Sequence, residues 1–312
     1  MLNIAHKGGG ALWPENTLDA FAHARDLGAD GAELDVHLSA DNEVVVFHDF
    51  RLKPELCRGR DGIWLEKPTP RIRDLTLAEL KRYDVGRIKP GTAYAAEFPD
   101  VASRDGERIP TLGDVIGVVG KRERPFVLQV ELKSSFIDRT LSADPVALAE
   151  AAVAVLREAN YLGRTIFVGF DWPALLHVMK LEPGARCWFT TLSQSWFEEG
   201  TPPAEDHPPQ TAALQMLRYW AKEGISPWAG GYDAVNHGGS ILRAIREAGG
   251  EGWFPPFRDA TAERVEEARA LGLKVGAWTP NARSDLERLI KLDLDAICTD
   301  RPDTLAELLE QR

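Results

Sequence analysis

Along the chain, short runs of β-branched and aliphatic residues alternate with stretches in which apolar residues recur every three or four positions. The first pattern suits a buried strand and the second an amphipathic helix. Strand-like runs fall at 3–6, 33–38, 43–47, 126–132, 165–168, 185–189, 274–278 and 296–298. Helix-like stretches fall at 17–27, 145–159, 173–181, 239–248, 260–271 and 284–291, with a further helix at the C-terminus. Repeated strand-then-helix units imply a parallel sheet covered by helices, and about eight of them predict an α/β fold of the TIM-like (β/α)8 barrel type. One pair breaks the rule: only Ser39-Ala40-Asp41-Asn42 separates 33–38 from 43–47, which leaves no room for a helix. It reads as a hairpin or bend grafted on a barrel, with an insertion after the third strand; an open doubly wound sheet is the alternative.

Two segments fit no strand–helix unit. Residues 51–110, rich in Gly, Pro and charge, carry 13 Lys+Arg against 10 Asp+Glu, a balance of +3 where the rest of the chain has −14. They read as an insert in a single domain spanning 1–312, either capping the mouth of the site and helping to draw in an anion or forming a solvated excursion. Residues 190–230 carry Trp196, Trp220 and Trp228 among prolines and acidic residues, either walling a pocket or packing within a loop.

Over 312 residues the formal charge is −11, which argues against a protein whose main task is coating nucleic acid. An anionic substrate then needs local positive charge. The start Met1-Leu2-Asn3-Ile4-Ala5-His6 has no basic segment leading into a long apolar run, and no apolar stretch reaches the ~18 residues of a membrane span. The expectation is a cytoplasmic protein. Cys57, Cys187 and Cys298 are scattered with no C-x-x-C pair, which fits buried thiols in a reducing compartment.

The densest cluster of chemistry-bearing residues is Glu33-Leu34-Asp35-Val36-His37, followed by Phe47-His48-Asp49. On a strand Glu33, Asp35 and His37 share one face at about 6.6 Å spacing, while Leu34, Val36 and Leu38 point to the helix layer. A strand with one wet face alternates in the same way without any ion. Glu131 in Val130-Glu131-Leu132-Lys133 shifts the balance, because it is another acid at the C-terminal end of an apolar strand, where barrels place catalytic groups. Three carboxylates from two strand ends repel one another without a cation, and hard oxygen donors suit Mg²⁺ or Ca²⁺. His6, followed by Gly8, Gly9 and Gly10, and His48 both end strands, which makes them a plausible acid–base pair; Lys7 and Lys133 add positive charge at the same level. His23, His177, His207 and His237 have no such company and receive no role.

These residues resemble the glycerophosphodiester phosphodiesterase family. The resemblance rests on Ala5-His6-Lys7-Gly8, Pro14-Glu15-Asn16-Thr17 before Ala20-Phe21, Gly28-Ala29-Asp30, Glu33-Leu34-Asp35-Val36, Val45-Val46-Phe47-His48-Asp49, Glu131-Leu132-Lys133, Trp278-Thr279 and Thr299-Asp300-Arg301-Pro302, in family order over nearly the whole chain. It implies a TIM-like barrel, one divalent cation, and hydrolysis of a small-molecule phosphodiester to an alcohol and a phosphomonoester. Carried over by position, Glu33, Asp35 and Glu131 resemble the metal ligands and His6 and His48 the acid–base pair. Lys7 and Lys133 then match phosphate contacts, and Trp278 an aromatic wall of the substrate groove. Glu15 matches a group at the edge of the site that steadies its neighbours, and Asn16 a helix cap, unless both only shape the turn. The family usually has Arg directly after the first histidine; Lys7 keeps the charge and loses the bidentate fork.

Two further readings accompany this one. A lysophospholipase D-like enzyme acting on lipid diesters would take its acyl route from 190–230. A non-catalytic binding barrel would keep the fold alone, with Lys7 its only hint. Trp13, Trp172 and Trp253 are candidates for a cation–π cage around a quaternary amine. Head group, oligomeric state, the identity of the nucleophile and which histidine is the acid are open.

Overall fold

The computed structural model describes residues 1–66, 69–120, 124–197 and 211–311. Eight parallel strands close into a barrel: β1 (Leu2–Ala5), β2 (Gly31–Leu38), β4 (Val127–Leu132), β5 (Thr165–Gly169), β6 (Arg186–Thr190), β7 (Gly252–Phe254), β8 (Lys274–Trp278) and β9 (Ala296–Thr299). Closure comes from β1, which pairs β9 on one side and β2 on the other. The ninth strand, β3 (Val44–Val46), runs antiparallel to the end of β2, with Val36 opposite Val46. This is the predicted hairpin on a barrel, and the open doubly wound sheet is excluded.

Strand alternation decides what faces the axis. Leu34, Val36 and Leu38 of β2 join Leu128, Val130 and Leu132 of β4 in the large core between strands and helices. The axis is filled by Ile4, Ile166, Val168, Trp188, Phe254, Ala296 and Cys298. Trp188 is fully buried there, and a Cβ on Gly252 or Gly276 would lie 2.8 Å from its ring, so two glycines make room for one indole. Such a packed floor confines the polar chemistry to the C-terminal mouth.

Local signals set the helix ends. Thr17 caps Leu18–Leu27 by accepting from the Ala20 N–H, and Gly28 ends that helix at φ +92°. Thr17, not Asn16, is the cap, which corrects the expectation. Asp144 caps Pro145–Glu158, with Pro145 in the first turn where its missing N–H costs nothing. The segment 190–230 does hold a helix, Thr211–Glu223; residues 198–210 lie outside the described residues. Among the described residues no helix is long and apolar enough to cross a membrane.

The insert carries a small core of its own, in which Leu52, Leu56, Cys57, Ile72, Leu80, Val85 and Ile109 pack on Val45 and Phe47. All three cysteines are buried.

Candidate active site

Most candidate residues stand near or just beyond a strand's C-terminal end, as Glu131, Lys133, His6, Lys7 and Trp278 do, whereas Glu33 and Asp35 lie within β2, His48 follows β3 and Glu15 lies in the loop before Leu18–Leu27. Glu33 and Asp35 lie on β2 and Glu131 on β4, where Asp35 is directly opposite Glu131. One oxygen of each of the three comes within 4.8 Å of the others. His6, Lys7 and Asp300 follow β1 and β9, and Trp278 ends β8.

Positive charge is woven through this cluster. Lys133 Nζ donates to Glu131 Oε1 at 2.8 Å and sits 3.4 Å from Asp35 Oδ1. Lys7 Nζ lies 3.4 Å from Glu15 Oε2, and the Lys7 backbone N–H donates to Glu33 Oε2 at 3.1 Å. Burial disfavours both ammonium ions, but Glu15, Asp35 and Asp300 around Lys7, and Glu131 and Asp35 around Lys133, outweigh it and raise both. Burial also works against the Asp35 anion, yet His48, Lys133, Lys7 and the Asn16 amide hold its pKa down. Glu33 goes the other way, pushed up by burial and by Asp35 beside it, so a proton shared in this pair resides on Glu33.

His6 Nδ1 is 2.7 Å from Asp300 Oδ1, and its Nε2 is 3.8 Å from Glu33 Oε2. Burial lowers this imidazole, but the charge of Asp300, its hydrogen bond and then Glu33 raise the pKa to about 8. Asp300 is itself steadied by Asn281 Nδ2 at 2.7 Å. His48 is more open, with Nδ1 3.6 Å from Asp49 Oδ1. His37 shares the acidic face of β2 as expected but is a structural group. Burial and then Lys133 lower its pKa to about 4, so it is neutral and its Nε2–H donates to the His48 carbonyl at 3.3 Å.

A cavity of about 550 Å³ opens beside His6 and His48, lined also by Lys7, Trp278 and Asn281 of the barrel and by Tyr94, Glu97 and Phe98 of the insert. The Tyr94 hydroxyl donates to Glu15 Oε2, so Glu15 is held by the insert on one side and Lys7 on the other. A second opening of about 180 Å³, lined by Phe50, Phe136, Ile137 and Phe170, adjoins Glu131 and Lys133. Phe170 meets Trp278 edge-on at 5.6 Å.

The structure thus gathers His6, Lys7, Glu15, Glu33, Asp35, His48, Glu131, Lys133 and Trp278 at one mouth. It does not gather the suggested tryptophan cage. Trp172 and Trp253 are buried, donating to the Thr190 carbonyl and Thr191 Oγ1, and Trp13 stacks on His23. Trp228 lines a separate cavity of about 560 Å³, which shares no lining residue with the His6–His48 cavity among the described residues. Asp300 entered the sequence analysis only within a motif and without a role, and Asn281, Tyr94 and the Asn16 contact to Asp35 were absent from it. Asp300 had a signal, since it follows the last strand where His6 follows the first.

Residues 6–304 match the model of the glycerophosphoryl diester phosphodiesterase family. A curated glycerophosphodiester phosphodiesterase of Bacillus altitudinis is 35% identical over 310 residues, covering 99% of this chain and 98% of that protein. One from Caldanaerobacter subterraneus is 29% identical over the same shares. Among solved structures, a candidate glycerophosphoryl diester phosphodiesterase from Silicibacter pomeroyi aligns at a TM-score of 0.80 with 28% identity, covering 99% of this chain and 92% of that one. An Oleispira antarctica phosphodiesterase, solved with its product sn-glycerol-3-phosphate, shares the fold at 0.66 with 24% identity, covering 98% and 96%. By this match over nearly its whole length, the chain belongs to the glycerophosphoryl diester phosphodiesterase family of enzymes.

Proposed function

We propose that this enzyme hydrolyses glycerophosphodiesters to an alcohol and sn-glycerol 3-phosphate, with His6 and His48 transferring protons and Glu33, Asp35 and Glu131 holding one divalent cation. The observation that carries the reading is the convergence of three carboxylates, two histidines and two lysines on one mouth. The donor set fits a hard cation such as Mg²⁺ or Ca²⁺: all oxygen, mutually repulsive, and presented by two neighbouring strands. When bound, such a cation polarises a phosphate oxygen and offsets charge developing in the transition state.

The chain's own groups supply the remaining work. Asp300 accepts from His6 Nδ1–H, which fixes the ring and leaves Nε2 as the proton-transfer atom. One histidine takes a proton from the attacking oxygen as its bond to phosphorus forms. The other delivers a proton to the leaving alkoxide as its P–O bond breaks, each step contributing ~10²–10⁴-fold. In this reading Lys7 and Lys133 pair with phosphate oxygens and Trp278 walls the groove, supported by Lys7 and Trp278 in the cavity lining and by Lys133 Nζ 2.8 Å from Glu131 Oε1. The insert, about 51–110, caps the mouth, a role supported by Tyr94, Glu97 and Phe98 in the cavity wall. Replacing His6 or His48 by Ala should remove at least ~10²-fold of turnover while near-UV circular dichroism stays unchanged. A His48→Ala enzyme with the parent rate removes that residue from the mechanism.

A further inference from the structure

We propose that Asn16 is a positioning residue whose side chain orients the Asp35 carboxylate for the cation, a role that rests on the reading of Glu33, Asp35 and Glu131 as its ligands. Asp35 is 1% exposed, and its Oδ2 accepts from Asn16 Nδ2 at 2.8 Å. The backbone N–H of Asp35 donates back to Asn16 Oδ1 at 3.4 Å. This pairing fixes the amide's orientation, because turning it over would set NH₂ against N–H and carbonyl against carboxylate. One amide therefore grips Asp35 at two points. Carboxylate rotation is thereby restrained, with Oδ1, 3.4 Å from Lys133 Nζ, the oxygen that the amide does not hold.

The backbone explains how the amide gets there. Asn16 sits at φ +57°, in the left-handed region that asparagine tolerates better than most residues. Its N–H donates to the Lys7 carbonyl at 2.9 Å. Lys7 is also left-handed, at φ +51°, and its own N–H reaches Glu33 Oε2 at 3.1 Å. One loop between β1 and the helix Leu18–Leu27 thus restrains one oxygen on each of two carboxylates. Helix capping is left to Thr17, so the Asn16 side chain is spent on Asp35 alone. Glycine would keep this backbone without the amide, and aspartate would set a second anion against the first.

The test is calorimetric titration of Mn²⁺ into EDTA-stripped full-length protein, comparing the parent with Asn16→Gly, Asn16→Ala and Asp35→Asn. The parent should bind one Mn²⁺, Asp35→Asn should lose it, and both Asn16 variants should bind roughly 10- to 100-fold more weakly. Both variants lose the amide's hydrogen bonds, and Asn16→Ala should lose more thermal stability because alanine is strained at φ +57°, so whichever of the two folds answers the question. Parent-like affinity in Asn16→Gly, with binding lost in Asp35→Asn, would confine Asn16 to the turn and overturn the proposal. Unchanged affinity in Asp35→Asn would instead overturn the cation reading, and the proposal with it.

Discussion

Asp300→Asn is the substitution that probes the His6 arrangement most sharply. Two donors converge on Asp300: His6 Nδ1 at Oδ1 and Asn281 Nδ2 at Oδ2, both at 2.7 Å. Asparagine is nearly isosteric but has one acceptor oxygen, so it cannot serve both. If that oxygen keeps Asn281, the new NH₂ faces His6 and favours the tautomer with its proton on Nε2, which abolishes the base. The magnitude follows from the His6 pKa of about 8, raised from 6.5 against the opposing effect of burial. At 1.36 kcal/mol per pKa unit, the shift is worth about 2 kcal/mol. His6 is the group whose folded pKa is raised, so this stabilisation is fully present below pH 6.5 and is lost as pH rises through 8. Urea unfolding of EDTA-stripped protein should therefore show Asp300→Asn further below the parent at pH 6 than at pH 9.5, by about 2 kcal/mol. Glu33 titrates in both proteins and cancels to first order in the difference. Proton NMR of the His6 ring should show its midpoint falling by at least about one unit. Equal stability gaps at both pH values, with an unmoved midpoint, would refute the ion-pair account of His6.

Gly10→Ala would place a Cβ 2.9 Å from Asp300 Oδ1; it should displace that carboxylate and lower the His6 midpoint in the same NMR titration, without any change of charge. Tyr94→Phe removes a hydroxyl that the insert gives to Glu15; it should cost about 1 kcal/mol in urea unfolding and raise KM for a diester more than it lowers kcat. Gly8→Ala, at φ +84° with Ala20 Cβ only 2.8 Å from the new methyl, should cost about 1–3 kcal/mol in the same unfolding assay. Adding Mn²⁺ at ~100 times its Kd to stripped protein should stabilise it by about 2.7 kcal/mol, and Glu131→Gln should abolish that gain.

Much of this was legible in the sequence because barrel strands obey a period of two. Glu33 and Asp35 fall on one face of β2 and Leu34 and Val36 on the other, which located both the acidic face and the outer core. Strand-end position similarly picked out His6, His48 and Glu131. Asp300 obeys the same rule and was given no role because its own strand, Ala296–Thr299, carries no charged residue to mark a chemical face. The strand β7 has three residues, Gly252–Phe254, too few for periodicity to register, and it opens on a glycine whose reason is the Trp188 ring on the adjacent strand. Leu112–Val119 was not read as a helix, since two glycines interrupt its apolar stripe. Tyr94 lies 79 residues from Glu15, a contact that only the folded insert creates. The tryptophans misled because an indole reads alike in sequence whether it walls a groove or, like Trp172 at the start of a helix, is buried in the core.

The most direct test of the central claim is release of sn-glycerol 3-phosphate from a panel of glycerophosphodiesters by EDTA-stripped protein, before and after adding Mg²⁺, Ca²⁺ or Mn²⁺. The stripped protein should show negligible release, recovery with at least one cation, and no recovery in His6→Ala or His48→Ala. Full release without any cation, or no release with all three, would contradict that claim.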